Sequence, residues 1–438
     1  MALAPGVSST DPASAADIAA SGQNIDAPRL QMFVMALFFV FGGITSLNDV
    51  LIPKLKELFT LNYMQAMLVQ TAFFAAYAIV GIPGAALVKK VGYMRGAAIG
   101  LLTMMAGCLL FIPASASATF GVFLVALFVL ASGVTVVQVV ANPLISLLGP
   151  PQTTHSRLTF AQAFNSLGTT LFPYVGTIVM LGGLATVNAS ELTGAALSAY
   201  RVAETAAIER SYLGLAVVLA VIALAVWINR NRLPSEKHES GPILASFALL
   251  RLPRYGFGAA CIFLYVGAEV AIGSLIVNYV MQAHVLGLAE QDAGKLIPLY
   301  WGGALVGRFI GSALLRVIDP GKALVCNAIG AIALILISTH SGGMTAGYTY
   351  LALGLMNSIM FPTIFSLACE GLGKRAADGS GVICAMIVGG AIVPPLTGHL
   401  ADVSGSLSLA LALPAVCYAV IACFGWYARR RAGGLGTA

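Results

Sequence analysis

Long apolar segments constrain the fold of this 438-residue chain more than any other feature of the sequence. Twelve segments are each about as long as the roughly 20 residues that an α-helix needs to cross a bilayer. They cover residues 30–52, 66–88, 95–113, 119–142, 158–181, 211–229, 257–283, 294–317, 323–340, 345–368, 380–401 and 406–428. Only 9% of the residues are charged, whereas a soluble domain carries about 25%, and a β-barrel would show short alternating segments instead. The sequence therefore predicts an all-α membrane protein with twelve transmembrane helices.

The segments fall into two groups of six, separated by the longest charged stretch. We expect an N-terminal six-helix bundle over residues 29–229, a cytoplasmic linker over 230–256 and a C-terminal six-helix bundle over 257–428. Residues 1–28 are small and polar and lack the basic and apolar regions of a signal peptide, so they predict a disordered cytoplasmic tail. Residues 429–438 predict a basic cytoplasmic tail.

The two halves share sequence patterns at a nearly constant offset. The glycine, proline and glycine of "GTTLFPYVG", from Gly168, recur at the same spacing in "GAIVPPLTG", from Gly390, an offset of 222. "GAALVKKVGYMRG", from Gly84, is echoed by "GSALLRVIDPGKA", from Gly311, an offset of 227. Two six-helix halves related in this way are typical of transporters that rock about a central site.

Basic residues predict the orientation in the membrane. With both termini in the cytoplasm, five of the 23 Lys and Arg residues lie outside and the other 18 lie inside, as the positive-inside rule requires. We therefore predict a bacterial inner-membrane protein with both termini cytoplasmic. This placement explains the net charge of +6 without a nucleic-acid partner. The seven cysteines lie in apolar segments without paired spacing, so neither a disulfide framework nor a metal site is expected.

Asn48 and Asp49 stand near the end of the first apolar segment, in "TSLNDVLIP". A carboxylate in hydrocarbon costs on the order of 2.5–3.5 kcal/mol even on the gentler insertion scales, so such residues are usually functional. Asp49 therefore predicts a cation or sugar-hydroxyl site in a watery cavity. The alternative is a residue that caps the segment at the membrane interface near Pro53.

Four carboxamides lie in the fourth and fifth segments. Gln138 and Asn142 are four residues apart, and Gln162 and Asn165 are three apart, so each pair shares one face of its helix. A carboxamide both donates and accepts hydrogen bonds, which matches a sugar hydroxyl. The alternative is hydrogen bonding between packed helices.

The second half contributes further candidates for the central site. Glu269 lies near the middle of the seventh segment. This position indicates that its side chain either lines the cavity or forms an intramembrane ion pair with Arg308. Asn278 and Asn357 are cavity candidates, and Trp301 has the side chain to stack on a sugar ring or to pack at the outer interface.

Several of these stretches resemble the major facilitator superfamily, and within it the fucose–proton symporter group and its glucose/galactose transporter branch. The stretches are "LNDVLIPKLK", "QAMLVQTAFFAAY", "VVQVVANP", "RLTFAQAFNSLGTTL", "YVGAEVAIGS" and "MFPTIFSL". The resemblance spans residues 32–428 and implies two six-helix bundles, a central sugar site and alternating access.

The resemblance also implies roles for individual residues. The acidic residue in the first helix of the fucose-transporting members matches Asp49, and their Gln and Asn in the fifth helix match Gln162 and Asn165. Their glutamate in the fourth helix is replaced here by Gln138, as is usual in the glucose/galactose branch. A related animal branch couples glucose to sodium, so proton and sodium both stay open.

The sequence thus predicts a cation-coupled symporter that imports a hexose such as glucose or galactose, with H⁺ or Na⁺ co-transported and no other cofactor. Asp49, Asn48 and Gln138 form the predicted cation site. The predicted sugar-binding residues are Gln138, Asn142, Gln162, Asn165, Glu269, Asn278, Asn357 and Trp301. The alternatives are a passive sugar facilitator and, less favoured, a drug-type exporter.

The sequence has no HExxH or GxSxG motif, so an enzyme is not expected. A monomer is expected, since the two halves complete one transport unit.

Overall fold

A computed structural model describes residues 28–61, 63–176, 194–230 and 243–432. Within these ranges the chain forms twelve helical stretches, several of them interrupted, and no β-strand. The predicted tail 1–28 lies outside the described residues apart from Pro28, as do residues 433–438.

The first six stretches contain seven α-helices. These are α1 (Pro28–Leu58), α2 (Tyr63–Val91), α3 (Tyr93–Leu109), α4 (Phe111–Ser117), α5 (Phe120–Leu147), α6 (Thr154–Gly176) and α7 (Gly194–Ile228). The third stretch comprises α3 and α4, which are separated by Leu110. A 3₁₀ helix, Ile243–Arg251, lies in the predicted linker.

The last six stretches contain eleven α-helices. These are α8 (Pro253–Val280), α9 (Glu290–Gly294), α10 (Ile297–Leu314), α11 (Pro320–His340), α12 (Gly343–Leu351), α13 (Leu353–Asn357), α14 (Met360–Cys369), α15 (Ala376–Met386), α16 (Gly389–Ser404), α17 (Leu407–Ala410) and α18 (Ala412–Ala432). The interruptions split the eighth, tenth, eleventh and twelfth stretches.

The predicted all-α fold is confirmed, and each of the twelve predicted segments overlaps one helical stretch. Helix α1 extends six residues beyond the predicted end at 52, because Leu51, Leu55 and Leu58 continue a fully buried stripe at helical spacing. Helix α7 begins at Gly194, well before the predicted start at 211, and its early residues Thr205 and Ile208 are fully buried.

Ten of the helical stretches in the described part of the chain are long and apolar enough to cross a membrane. The other two contain α6 and α10. Helix α6 includes Gln162 and Asn165, and α10 includes Arg308, so both carry polar side chains where a span is usually apolar. These two helices pack against each other across the boundary between the bundles.

The internal repeat is visible in how the helices pack. A Cβ atom on Gly168 of α6 would lie 2.1 Å from the carbonyl oxygen of Phe39 on α1. In the second half the contact is made by Gly389 of α16, one residue before the Gly390 that the sequence repeat pairs with Gly168: a Cβ atom on Gly389 would lie 2.0 Å from the carbonyl oxygen of Phe263 on α8, whereas one on Gly390 would meet Phe74. The fifth and eleventh stretches therefore approach the first and seventh in the same way, and glycine is required at both contacts because no side chain fits.

Both ends of the described chain lie on one side of the molecule. Gln31, near the start of α1, bonds Leu148 at the end of α5, and Ser156 at the start of α6 bonds Ser312 at the end of α10. Gly321, at the start of α11, packs against Gly425 near the end of α18. We call the side at which α1 begins and α18 ends the terminal face. Between the two bundles, α2 packs on α15, and α6 packs on α10 and α14. The hydrogen bonds described below that join the bundles lie in the half of the molecule next to the terminal face.

Candidate functional site

Helix α5 places two carboxamides inside the N-terminal bundle without partners. Asn142 is fully buried, and neither its Oδ1 nor its Nδ2 has a hydrogen-bond partner among the described residues. Gln138, one turn earlier, is partly buried, and its Oε1 also has no partner there. An unsatisfied buried polar atom costs about 1–3 kcal/mol, so these atoms mark a place where a polar ligand or water is expected.

Helix α6, which neighbours α5, carries the other two carboxamides. Gln162 is 4% exposed, and its Nε2 has no partner in the described part of the protein. Asn165 instead donates from Nδ2 to the carbonyl oxygen of Phe38, at 3.3 Å. Asn165 thus helps to hold α6 against α1, which is the interhelical hydrogen bonding that was the alternative role for the carboxamides. The Nε2 atom of Gln162, in contrast, is available to a ligand.

Asn357 lies in a fully buried group of tyrosines in the C-terminal bundle. Its Nδ2 donates to the hydroxyl of Tyr300 at 2.8 Å, and its Oδ1 accepts from the hydroxyl of Tyr418 at 2.7 Å. Its backbone oxygen accepts from the hydroxyl of Tyr265 at 2.9 Å. These bonds occupy both ends of the amide, so Asn357 positions the tyrosines, and its predicted contact with sugar stays a prediction.

The other candidates in this bundle occupy different environments. Glu269 is partly buried, and its backbone oxygen accepts from Tyr300 at 3.3 Å. Trp301 packs edge-on against Tyr300, with ring centroids 5.0 Å apart. Asn278 is exposed near the end of α8 that is farther from the terminal face. Asn48 and Asp49 lie within α1, but their side chains fall outside the described residues.

Arg308 joins the two bundles close to Gln162. Its Nη1 donates to the carbonyl oxygen of Gln162 at 3.2 Å and to the hydroxyl of Ser166, both on α6. Its Nε donates to the carbonyl oxygen of Ser358 at 3.1 Å. Among the described residues, Arg308 does not form the suggested ion pair with Glu269. Its guanidinium instead donates to the neutral oxygens of Ser358, Gln162 and Ser166.

An ion pair closes the terminal face between α2 and α15. Lys89 Nζ lies 3.1 and 3.0 Å from the two carboxylate oxygens of Asp378, and Ser246 of the 3₁₀ linker helix donates to the same carboxylate at 2.8 Å. Gly381 lies one turn after Asp378 on α15, and a Cβ atom on Gly81 of α2 would lie 2.7 Å from its carbonyl oxygen. This close backbone contact and the ion pair together shut the space between the bundles on this side.

Two further contacts close the same face between α6 and the C-terminal bundle. Ser156 donates to the carbonyl oxygen of Ser312 at 2.5 Å. His155 Nδ1 and Ser366 Oγ lie 2.6 Å apart. From the sequence, Lys89 in "GAALVKKVGYMRG" is most simply an orientation signal, and its glycine-rich setting also suits a brace for a cytoplasmic gate, but the sequence analysis missed Asp378 and Ser166. An isolated acid in the basic stretch "GKRAADG" was the available signal for Asp378.

The described residues thus combine unpartnered carboxamide atoms on α5 and α6 with contacts that join the two bundles at the terminal face. A family model described as the Major Facilitator Superfamily matches residues 34–386. The chain belongs to the Major Facilitator Superfamily. The predicted membership and the predicted fold of two six-helix bundles are therefore confirmed, and the protein is a multi-pass membrane protein.

Relatives within the superfamily cover most of the chain. A "Glucose/galactose transporter" from Brucella abortus biovar 1 (strain 9-941) is 49% identical over 394 residues, which are 89% of this chain and 91% of that protein. An "L-fucose-proton symporter" from Escherichia coli (strain K12) is 32% identical over 397 residues, 89% of this chain and 90% of that one. These identities confirm the resemblance to both groups, and the relatives are transporters rather than enzymes.

A solved structure shares the fold over nearly its full length. It is described as the crystal structure of "a Major Facilitator Superfamily (MFS) transporter, FucP, in the outward conformation". Its TM-score is 0.83 at 31% identity, covering 91% of this chain and 98% of that one.

Proposed function

We propose that the chain is a cation-coupled symporter that imports a hexose, glucose or galactose, by alternating access. The observation that carries this proposal is the set of unpartnered amide atoms on Gln138, Asn142 and Gln162. Carboxamides without charge suit the paired donor and acceptor character of sugar hydroxyls. The 49% identity to a glucose/galactose transporter supports the choice of hexose, and the identity to a proton symporter supports cation coupling.

In this proposal the terminal face is cytoplasmic and the membrane is the bacterial inner membrane, as the distribution of basic residues predicts. The structure then represents a form closed to the cytoplasm, in which sugar and cation enter from outside. Coupling requires that sugar and cation favour the same conformations. Asp49 is the proposed coupling carboxylate, with Asn48 and Gln138 as further oxygen donors if the cation is sodium.

The test is transport into proteoliposomes that contain the purified protein. Labelled glucose, galactose and fucose are supplied under an imposed sodium gradient and, separately, an imposed proton gradient. One charge moving with each sugar gains about 2.3 kcal/mol per 100 mV, so we expect accumulation of about 50-fold at 100 mV. The gradient that drives accumulation identifies the cation, and the sugar with the highest kcat/KM identifies the substrate.

Asp49→Asn should abolish accumulation while exchange of labelled for unlabelled sugar continues. Asp292→Asn is the matched control, because Asp292 is an exposed carboxylate outside the predicted spans. Equilibration without accumulation under either gradient would replace the symporter with a passive facilitator. Accumulation by Asp49→Asn at the wild-type level would remove Asp49 from the coupling site.

A further inference from the structure

Arg308 occupies a position that exists only while the terminal face is closed. It is 8% exposed and receives two of its three hydrogen-bond acceptors, Gln162 and Ser166, from the opposite bundle. Its third acceptor, Ser358, belongs to its own bundle. Rocking of the bundles would separate α10 from α6 and leave two donors of a buried guanidinium without partners.

The acceptor from its own bundle is fixed. The tenth stretch is interrupted between Asn357 and Met360, and the break frees the carbonyl oxygen of Ser358 for Arg308. Three tyrosine hydroxyls anchor Asn357 beside the break, as described above. Arg308 therefore stays with the C-terminal bundle when the bundles move, and only its bonds to α6 are lost.

Glu269 is the acid that remains near Arg308 through this movement. Tyr300 bonds both the backbone oxygen of Glu269 and the side chain of Asn357, and Tyr265, one turn before Glu269 on α8, bonds the backbone oxygen of Asn357. Asn357 directly precedes Ser358, whose carbonyl oxygen accepts from Arg308, so Glu269 and Arg308 belong to one hydrogen-bonded group in the C-terminal bundle. Glu269 is also partly exposed. Of the 17 Asp and Glu residues, Asp49 and Glu269 are the two that lie within the predicted spans.

A buried cation that loses its partners is destabilised by several kcal/mol unless a counter-charge replaces them. Opening of the terminal face therefore favours the ionised form of Glu269, because its carboxylate can then neutralise Arg308. With the face closed, the oxygens of Gln162 and Ser166 on α6 stabilise Arg308. Arg308 then needs no counter-charge, so Glu269 can be a neutral carboxylic acid. The charge on Glu269 thus depends on which side of the molecule is open.

We propose that Glu269 carries a co-transported proton and that Arg308 ties its release to opening of the terminal face. The Glu269 carboxylate takes one proton from the side away from the terminal face and becomes a carboxylic acid. After the bundles rock and Arg308 leaves Gln162 and Ser166, the acid gives this proton to water at the terminal face, and the carboxylate pairs with Arg308. This inference rests on the proposed symport and applies to its proton-coupled form, in which Glu269 takes the place proposed above for Asp49 as the carrier of the single proton.

The experiment measures sugar accumulation and proton uptake in proteoliposomes with a pH-sensitive dye inside. For one proton per sugar, each unit of pH difference should give about tenfold accumulation in the wild type. Glu269→Gln should lower the accumulation ratio to one and abolish sugar-driven proton entry, while exchange remains measurable. Glu269→Asp, which keeps the carboxylate, should recover part of the coupling.

Arg308→Gln should change the pH dependence of net transport, because the ionised form of Glu269 loses its counter-charge. Lys295→Gln is the control: Lys295 is an exposed cation that lies just before the helix with Arg308, and it pairs with Asp292 at 2.7 Å within its own bundle. This control should keep the wild-type pH profile.

The outcomes separate this inference from the proposed function. Proton entry with each sugar in Glu269→Gln would overturn the role of Glu269. A wild-type pH profile in Arg308→Gln would overturn the link to Arg308. Accumulation of sugar by the wild type with sodium but not with protons would overturn the inference and leave the symporter intact. Accumulation with neither cation would overturn both.

Discussion

Replacement of Asp378 by asparagine should shift the protein toward a form that is open at the terminal face. The Asp378 carboxylate binds Lys89 of the other bundle and accepts from Ser246 of the linker helix. The Lys89 and Asp378 side chains are 13% and 7% exposed. Their pairing requires contact between the bundles, so its loss acts on the equilibrium between conformations.

The magnitude follows from the degree of burial. Removing one partner of a fully buried ion pair costs about 3–5 kcal/mol, whereas exposed pairs contribute about 0–1 kcal/mol. A nearly buried pair with some access to water should lie between these limits, at about 2 kcal/mol. This free energy corresponds to about a 30-fold change in the equilibrium, which would raise an open form populated at about 1% to about a quarter of the molecules.

Distances between two spin labels measure this shift directly. Gln152 and Val317 are exposed at the terminal face, one on each bundle, and would carry the labels in a cysteine-free background. We expect a longer distance to grow in Asp378→Asn and in Lys89→Gln. The double variant should shift little further, since the two changes remove the same interaction.

Asp292→Asn is the matched control, because it removes an exposed pair with Lys295, at 2.7 Å, at the start of the eighth helical stretch and within one bundle. It should leave the distances unchanged. If Asp378→Asn shifts the distribution no more than this control, the ion pair does not hold the terminal face closed and the reasoning is refuted.

Two further predictions concern stability. Gly168→Ala should lower the melting temperature in detergent, because its Cβ atom would meet the carbonyl oxygen of Phe39; Gly214→Ala, with no atom within 4 Å, is the control and should not lower it. Tyr418→Phe should reduce the free energy of unfolding by about 1–3 kcal/mol in a denaturant titration, since Asn357 Oδ1 loses its donor. The exposed Tyr348→Phe should have no effect, and equal effects in either pair would contradict the corresponding prediction.

The sequence predicts the helices well because each span is a local property. About 20 consecutive apolar residues define a span wherever its neighbours lie, so the twelve segments could be found without any knowledge of packing. Gly354 follows Ala352 by two residues, and Pro362 follows Ser358 by four and lacks the N–H that would bond the Ser358 carbonyl oxygen, so the sequence does carry local signals for both breaks in the tenth stretch. The sequence could not show which side chains bind at these interruptions. They coincide with hydrogen bonds from Tyr265 and Arg308 to backbone oxygens, which are tertiary contacts.

In the candidate site, too, local features could be predicted from the sequence and tertiary contacts could not. Gln138, Asn142 and Gln162 could be proposed because a polar side chain in an apolar helix is visible in the sequence itself. The role of Arg308 could not, because its partners are backbone oxygens and a serine 142 residues away. The pairing of Lys89 with Asp378 joins residues separated by 289 positions, and a charge near a helix end is usually an orientation signal.

The closed terminal face also makes the protein's surface dependent on its conformation. Gln152 and Val317 are exposed on different bundles, and the bonds among Ser156, Ser312 and Arg316 hold that boundary together. An antibody fragment that spans this boundary would recognise an epitope built from both bundles, and this epitope would exist only while the face is closed. Such a fragment would therefore trap one conformation, whereas a fragment bound to a single bundle would follow it through the whole cycle.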